Sequence, residues 1–498
     1  MSRKFSEQEL VRREKLQKLI DQNNDPYQED KFERNINTKE IIEKFKNFDR
    51  EQLEKNPSEI LKVAGRIRAF RQAGKKAAFV QIQDQEGKIQ LYVRQDVLGD
   101  DVFANFVELD LGDIIGVEGI VMKTHTEELT IRVKKYTLLS KALKPLPDKY
   151  YGLADIEEKY RRRYVDLIMN DDVKQTFIKR SKIIRKIQSV LDEKGYFEVE
   201  TPILNSIRGG AAAKPFTTHY NALNSEFYLR IATELHLKRC IVGGFEGVYE
   251  IGRLFRNEGI DSKHNPEFTT IEIYVAYKNM DFLFDLTEEI FRETCQAVNG
   301  NLKIKYGENE IDFSKPFKRI HMVEAIKKET GIDFFKEMKY EDALKHAQKH
   351  HIKVEKHHLT VGHIINLFFE EFVEGKIIEP TFIYGHPVEI SPLAKRNKKD
   401  PRFTDRFELF IIGREYGNAF SELNNPIDQY ERFLDQIKEG EAGNEESNDM
   451  DIDFVEALEY GMPPTAGIGI GIDRLVMLLT NNESIKDVLL FPQLKNRE

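Results

Sequence analysis

The 498 residues are 40% apolar and 32% charged, enough hydrophobic mass for two or three cored domains beneath a well-solvated surface. That balance excludes a wholly disordered chain, a collagen and a membrane-embedded protein. The net charge is −9, yet the first 150 residues hold 28 basic against 26 acidic groups, so a polyanion-binding N-terminal module on an acidic body is compatible with the sequence.

Residues 1–55 read as an N-terminal helical segment, two charged helices around a break at Asn23 to Pro26, with a weak apolar stripe at Leu10, Leu16, Leu19 and Ile20. From residue 56 to 144 the period becomes alternating: LKVAGRIRAF, AAFVQIQD, GKIQLYVR, DIIGVEGIVMKT and ELTIRVKKYTLL read as five strands, with a short helical stretch at Asp101 to Phe106 between the third and fourth. This is the element order of an OB-fold β-barrel, a module that binds single-stranded nucleic acid through aromatic and basic groups on one sheet face. Arg66, Arg68, Phe79, Gln90 and Tyr92 are the candidates here, although Phe79 and Tyr92 suit a barrel core equally well. Pro145 and Pro147 break both periods, and residues 145–160 read as a linker to a second domain, 161–498. That domain opens with an amphipathic helix over Val173 to Lys194, stopped by Gly195; YFEVETPIL follows as a strand ended by Pro202. The acidic stretch from Tyr430 to Glu459 reads as an exposed helix and loop with no chemistry of its own.

Two cysteines, Cys240 and Cys295, cannot build a disulfide framework or a four-ligand zinc site, and a reducing compartment follows. The charged N-terminus has no apolar signal core, and no stretch reaches the ~18 apolar residues of a membrane span, so a cytoplasmic location away from membranes is expected. The paired histidines His350, His351, His357 and His358 read as a solvated loop or helix rather than a metal site. The basic run at 395–402 is either a solvated face or a contact for an RNA stem.

Two blocks carry chemistry. GVYEIGRLFRNEGIDSKHNPEFTTIEIYVAY is a strand, polar loop and strand, which sets the rigid donor fork of Arg256 at the mouth of a hairpin, placed for a phosphate or a carboxylate. TAGIGIGIDRLVMLLT has glycine at alternate positions before a helix, letting backbone approach a ligand beside a helix N-terminus. In order, FEVETPIL, FRNEG with HNPEF, and GIGIGIDR resemble the three signature motifs of class II aminoacyl-tRNA synthetases. The N-terminal OB-fold groups the chain with the lysine, aspartate and asparagine enzymes. GGAAAKPF, FRNEGIDSKHNPEFTTIEIY, GREYGNAFSELNNPIDQ and PPTAGIGIGIDRLVMLLT are similar to the bacterial lysyl-tRNA synthetase family. One departure is ATELHLK, where Thr233 and His236 replace the family's usual proline and tyrosine.

The resemblance implies an α+β fold, the barrel binding the tRNA anticodon and the catalytic domain built on an antiparallel sheet flanked by helices. It implies lysine activation by ATP to lysyl-adenylate and pyrophosphate, then transfer to the 3′-terminal ribose of tRNA(Lys), in a homodimer packed through the long helix. By the same resemblance Arg256 and Arg474 are the catalytic cations, and Glu258, His264, Asn265 and Phe268 join them around ATP. Gly210, Glu234, Glu272, Tyr274, Asn418, Phe420 and Glu422 surround lysine, Glu408 and Glu415 carry Mg2+, and Arg66, Phe79 and Gln90 meet the anticodon. Glu408 and Glu415 are seven residues apart, which in one regular strand puts them on opposite sides; a bulge at Gly413 is the expected remedy. An aspartyl or asparaginyl enzyme is the alternative of the same fold, separable by its need for a cation in the amino-acid pocket. A non-catalytic synthetase-like RNA-binding protein is the alternative of another class.

Overall fold

A computed structural model describes residues 4–147, 155–444 and 446–496; most of the expected linker, 148–154, lies outside the described residues. The chain divides into two compact units, Met1–Ala154 and Asp155–Glu498.

The first unit opens with three helices rather than two, Glu7–Asp21, Thr38–Phe45 and Arg50–Lys55. Each starts at a capping box, Ser6 with Glu9, Asn37 with Glu40 and Asp49 with Gln52, in which side chains satisfy the backbone N–H groups that a helix start leaves unpaired. Strands β1 (Leu61–Gln72), β2 (Ala77–Gln83), β3 (Lys88–Arg94), β4 (Ile114–Lys123) and β5 (Leu129–Ser140) close a barrel in the order β1-β2-β3-β5-β4. Alternate residues such as Val63, Ile67, Val80, Ile82, Leu91 and Val93 fill its interior. The period of two therefore sends Phe79 and Tyr92 outward, so neither ring is part of the barrel core.

The second unit is built on an eight-stranded sheet. Its strands are β6 (Phe197–Glu198), β7 (Gly247–Phe255), β8 (Glu267–Ala276), β9 (Lys318–His321), β10 (Thr381–Tyr384), β11 (Arg406–Ile411), β12 (Arg414–Ser421) and β13 (Thr465–Gly471), in the order β9-β10-β11-β12-β13-β8-β7-β6. The interior pairings are antiparallel and the pairings at the two ends, β9 with β10 and β7 with β6, are parallel. Helices Asp171–Glu193, Met280–Asn299 and Ile472–Thr480 cover one face through a single apolar core. The strand expected over YFEVETPIL shortens to two residues, because Thr201 leaves the ladder to donate its N–H and hydroxyl to Glu250 Oε2.

The acidic stretch departs from its reading. It forms the end of helix Pro426–Glu441 and all of helix Ile452–Glu459, whose Phe433, Phe454, Val455 and Leu458 pack with Leu237 and Ile241. An apolar stripe was hidden under the acidic composition. His350 likewise packs edge-on against Phe368, at 5.4 Å between ring centroids. Among the described residues no group of three or more His, Cys, Asp or Glu is arranged to hold a metal ion, and no helix is long and apolar enough to cross a membrane.

Candidate active site

The sheet's period of two builds the site. On β8, Ile271, Ile273 and Val275 enter the helix-covered core, so Thr270, Glu272 and Tyr274 point to the other face. On β13, Ala466, Ile468 and Ile470 are core and Gly467, Gly469 and Gly471 form the floor opposite. The glycine pattern of the sequence is thus one face of a central strand, with isoleucine as its other face. Cross-strand register aligns two rows on the open face. One runs Glu408, Asn418, Gly469, Glu272, Glu250 and the other Arg406, Phe420, Gly467, Tyr274, Val248.

Over this floor lies a cavity of about 390 Å³. It is lined by Arg256, Glu258, His264, Asn265, Phe268 and Arg474 towards one end and by Gly210, Glu234, Glu272, Tyr274, Asn418 and Phe420 towards the other, with Glu408 and Glu415 also on the wall. Glu422 alone of the candidates for this unit does not line it; it is buried, with its Oε1 over Gly467.

Glu408 and Glu415 reach the cavity by a route different from the expected one. They stand on two strands of a hairpin, β11 and β12, whose turn is Ile412 and Gly413, both with positive φ (51° and 59°). The bulge lies instead in β12: Leu409 faces Gly417 and Phe410 faces Glu415, leaving Tyr416 as the extra residue that re-aims Glu415. Arg474 Nη1 donates to the Glu415 carbonyl at 2.6 Å and lies 3.4 Å from its Oε2.

Arg256 follows β7, its guanidinium 5.2 Å from the Phe268 ring centroid, and its buried Nε has no hydrogen-bond partner among the described residues. A buried cationic donor without a partner is costly unless a ligand supplies one. His264 Nδ1 lies 2.9 Å from Asp261 Oδ2, and the hydrogen bonds from His264 and from loop N–H groups outweigh burial to hold Asp261 down at about 2. Asn265 is less available than expected: its amide donates to the Glu267 carbonyl at 2.5 Å and accepts from Gln493 N at 3.2 Å.

At the other end, Glu272 accepts from Thr233 N at 3.1 Å and from the Tyr274 hydroxyl at 3.0 Å. Burial, reinforced by Glu234, pushes the Glu272 carboxyl up to about 7. Burial raises Glu422 well above the usual carboxylate range despite a neighbouring cation. That cation is Lys238, fully buried on helix Glu234–Val242, with its Nζ 2.6 Å from Glu234 Oε1 and ion-paired to Glu422 Oε2. Burial works against its charge, but Glu234 and Glu422 prevail and its pKa is raised.

Sequence reasoning missed Lys238, because an acid and a lysine four apart on a helix ordinarily describe an exposed pair. It also missed Arg406, which donates to Asn418 Oδ1 at 3.0 Å and to Glu408 Oε1 at 2.6 Å and so ties a candidate substrate contact to a candidate metal ligand. The row Arg406-Phe420-Gly467-Tyr274 would have exposed it, had strand register been legible.

On the barrel, Phe79 stacks on Tyr92 with centroids 4.8 Å apart, and Arg71 lies 5.2 Å over the Phe79 ring. Gln90 Nε2 donates to Thr130 Oγ1 at 3.0 Å. Arg66 Nη1 is held by the Gly112 carbonyl at 2.8 Å.

Residues 155–495 match the family described as tRNA synthetases class II (D, K and N), and residues 61–139 match the OB-fold nucleic acid binding domain. The chain belongs to the class II tRNA synthetases. Its similar relatives include proteins named lysine–tRNA ligase. That of Mycoplasma mycoides subsp. mycoides SC is 67% identical over 497 residues, covering 100% of this chain and 99% of the relative. That of Bacillus subtilis (strain 168) is 57% identical over 493 residues, covering 99% and 98%. That of Ureaplasma parvum serovar 3 is 53% identical over 497 residues, covering 100% of both. In this synthetase, then, the sheet face with its glycine floor is the face on which the catalytic candidates converge.

Proposed function

We propose that this synthetase activates L-lysine with ATP and transfers it to the 3′-terminal ribose of tRNA(Lys). The observation that carries the amino-acid assignment is the charge of the pocket end. Glu234 and Glu422 pair with one resident ammonium, Lys238, and Glu272 adds a third carboxyl beside Glu234, so the pocket end holds three carboxyls against one cation. Free lysine brings two ammonium groups at the length of its side chain, with Tyr274 and Phe420 supplying aromatic faces.

Activation needs in-line attack by the substrate carboxylate on the α-phosphorus of ATP, with pyrophosphate leaving. No protein nucleophile is required; the demand is orientation and charge neutralisation. Arg256, with its unpartnered buried nitrogen, is placed to bridge carboxylate and α-phosphate, and Phe268 to stack on the base. Arg474 stands on the wall beside Glu415, suited by its planar fork to a phosphate. His264, Glu258 and Asn265 border the same end; in this reading His264 is near the terminal phosphates and Asn265 shapes the loop. Gly210 and Glu234 hold the α-amine and Asn418, fixed by Arg406, the carboxylate.

Glu408 and Glu415 present hard oxygens on adjoining strands, and two carboxylates with phosphate oxygens and water are what Mg2+ takes. Bound there, the ion neutralises phosphate charge.

The outward barrel face of Phe79, Tyr92 and Gln90 is read as the anticodon platform, with Arg66 shaping its border. Phe197, on the edge strand β6, and Phe245 are in edge contact at 5.9 Å and are 60% and 44% exposed. An apolar face of this kind beside an edge strand suits a second copy of the chain, and we read the enzyme as a cytoplasmic homodimer.

The second reading is an aspartate or asparagine enzyme, in which Lys238 would be the cation for an acidic side chain. It is opposed by the burial of Lys238 behind the cavity wall and its capture by two carboxylates. The experiment is exchange of labelled pyrophosphate into ATP without tRNA, with lysine, aspartate and asparagine in parallel. Exchange with lysine alone is expected; exchange with aspartate or asparagine overturns the pocket assignment.

A further inference from the structure

Lys238 has no ordinary structural reason to be where it is. A lysine with no exposed surface replaces what could be a leucine in the cluster of Leu235, Leu237, Phe420 and Phe454, and burying an ammonium there is expensive unless it is paired. It is paired with two acids drawn from separate parts of the chain, Glu234 on its own helix and Glu422 after β12, and its Nζ lies 5.4 Å from the Phe420 ring centroid. Glu422 is 1% exposed, and its Oε1 has no hydrogen-bond partner among the described residues. That oxygen sits directly over Gly467, a floor residue of the cavity, where any Cβ would collide with it and with the Tyr274 ring. One oxygen of the carboxylate is thus ion-paired to Lys238 while the other lies against Gly467 and the Tyr274 ring, both of which line the cavity. Glu234 is divided in the same way: Oε1 is taken by Lys238, while the residue lines the cavity.

We propose that Lys238 is a positioning residue for the amino-acid substrate, a resident ammonium that holds Glu234 and Glu422 each by one oxygen and so presents the other oxygen of each to the two ammonium groups of the ligand. The inference rests on the reading of this pocket as the lysine site. Without Lys238 the carboxylates of Glu234 and Glu422 lose their common counter-charge and their fixed orientation, and protonation replaces the ion pairs. A diamino acid then meets a pocket that is neither rightly charged nor rightly aimed. The phosphate end, with Arg256 and Arg474, does not involve Lys238.

The test uses the full-length protein in lysine-dependent pyrophosphate exchange, with K238A as the main variant and K238M, matched in length, as the second. Both should raise KM for lysine roughly tenfold to a thousandfold while KM for ATP stays within about twofold, since truncating one partner of a buried charge pair is costly mainly through the charge left behind. In K238A, n-propylamine, which is protonated at neutral pH and restores the deleted atoms, should recover at least part of the lysine affinity. n-Propanol of the same shape should not. Equal rescue by propanol, or a lysine KM within twofold of the unmodified enzyme in either folded variant, would overturn the role of Lys238 and leave the lysine site intact. Absence of lysine-dependent exchange in the unmodified enzyme would instead remove the underlying reading.

Discussion

The two units use the same alternation of side chains to opposite ends. In the barrel, the face turned to the interior is wholly apolar and the outward face carries Phe79, Tyr92 and Gln90, rings and amides that remain half-exposed. In the large sheet, one face is equally apolar, but over the other Glu234, Glu272 and Glu422 are buried, with Lys238 paired to the first and last of them. A half-exposed stacking surface tolerates many ligands, because every base has a π-face. A buried carboxylate cluster accepts only what balances its charge. Generality and selectivity thus come from burial rather than from the type of secondary structure.

The sharpest break in that contrast is at Arg256. R256A should lower pyrophosphate exchange by roughly three orders of magnitude, the scale of an arginine that neutralises phosphate charge in a transition state, while tRNA binding measured by filter retention is unchanged. Next is the floor. Gly467→Ala places a methyl group against Glu422 and the Tyr274 ring, and lysine KM should rise about a hundredfold with little effect on KM for ATP, as overpacking costs ~1 to 3 kcal/mol. On the barrel, Phe79→Ala should reduce kcat/KM for tRNA charging about tenfold and leave pyrophosphate exchange untouched; equal loss in both assays would make Phe79 a structural residue.

The smallest effect is a pH dependence. Glu272 keeps its proton up to about pH 7 because burial and Glu234 disfavour its charge, with Tyr274 and Glu422 also beside it. A bound ammonium requires the ionised form, so lysine binding should release a proton below pH 7, and lysine KM should fall several-fold from about pH 6 to 8. Calorimetry in buffers of different ionisation enthalpy reads the proton directly. The ligand-free protein shows the opposite sign. A carboxyl whose pKa is raised on folding stabilises most below its unfolded value near 4.5, and that contribution fades as pH rises through 7, by at most about 3 kcal/mol. Glu272→Gln should remove both trends.

Much of this was legible because it is local or motif-borne. The five barrel strands follow from alternation, and the glycines of GIGIGIDR mark a close backbone approach whichever strand they occupy. What was not legible depends on register. The hairpin between Glu408 and Glu415 was read as one strand because the type of turn at Ile412 and Gly413 lacks its usual Asn-Gly signal, and the bulge at Tyr416 has no local signature. Lys238 has no signal of its own in the sequence, because its partner Glu422 lies 184 positions later. The acidic stretch concealed Phe433 and Phe454 because composition outvoted period.

The strand order has a consequence for how this protein is made. β13, residues 465–471, is the last strand in chain order among the described residues, yet it lies at the centre of the sheet between β8 and β12. Until a ribosome has delivered it, the nascent domain holds two half-sheets whose facing edges are unpaired, and Glu272 and Asn418 have no floor between them. A prematurely terminated product would therefore be inactive and adhesive at once, so degradation of incomplete chains matters more here than for a sheet whose middle is synthesised first.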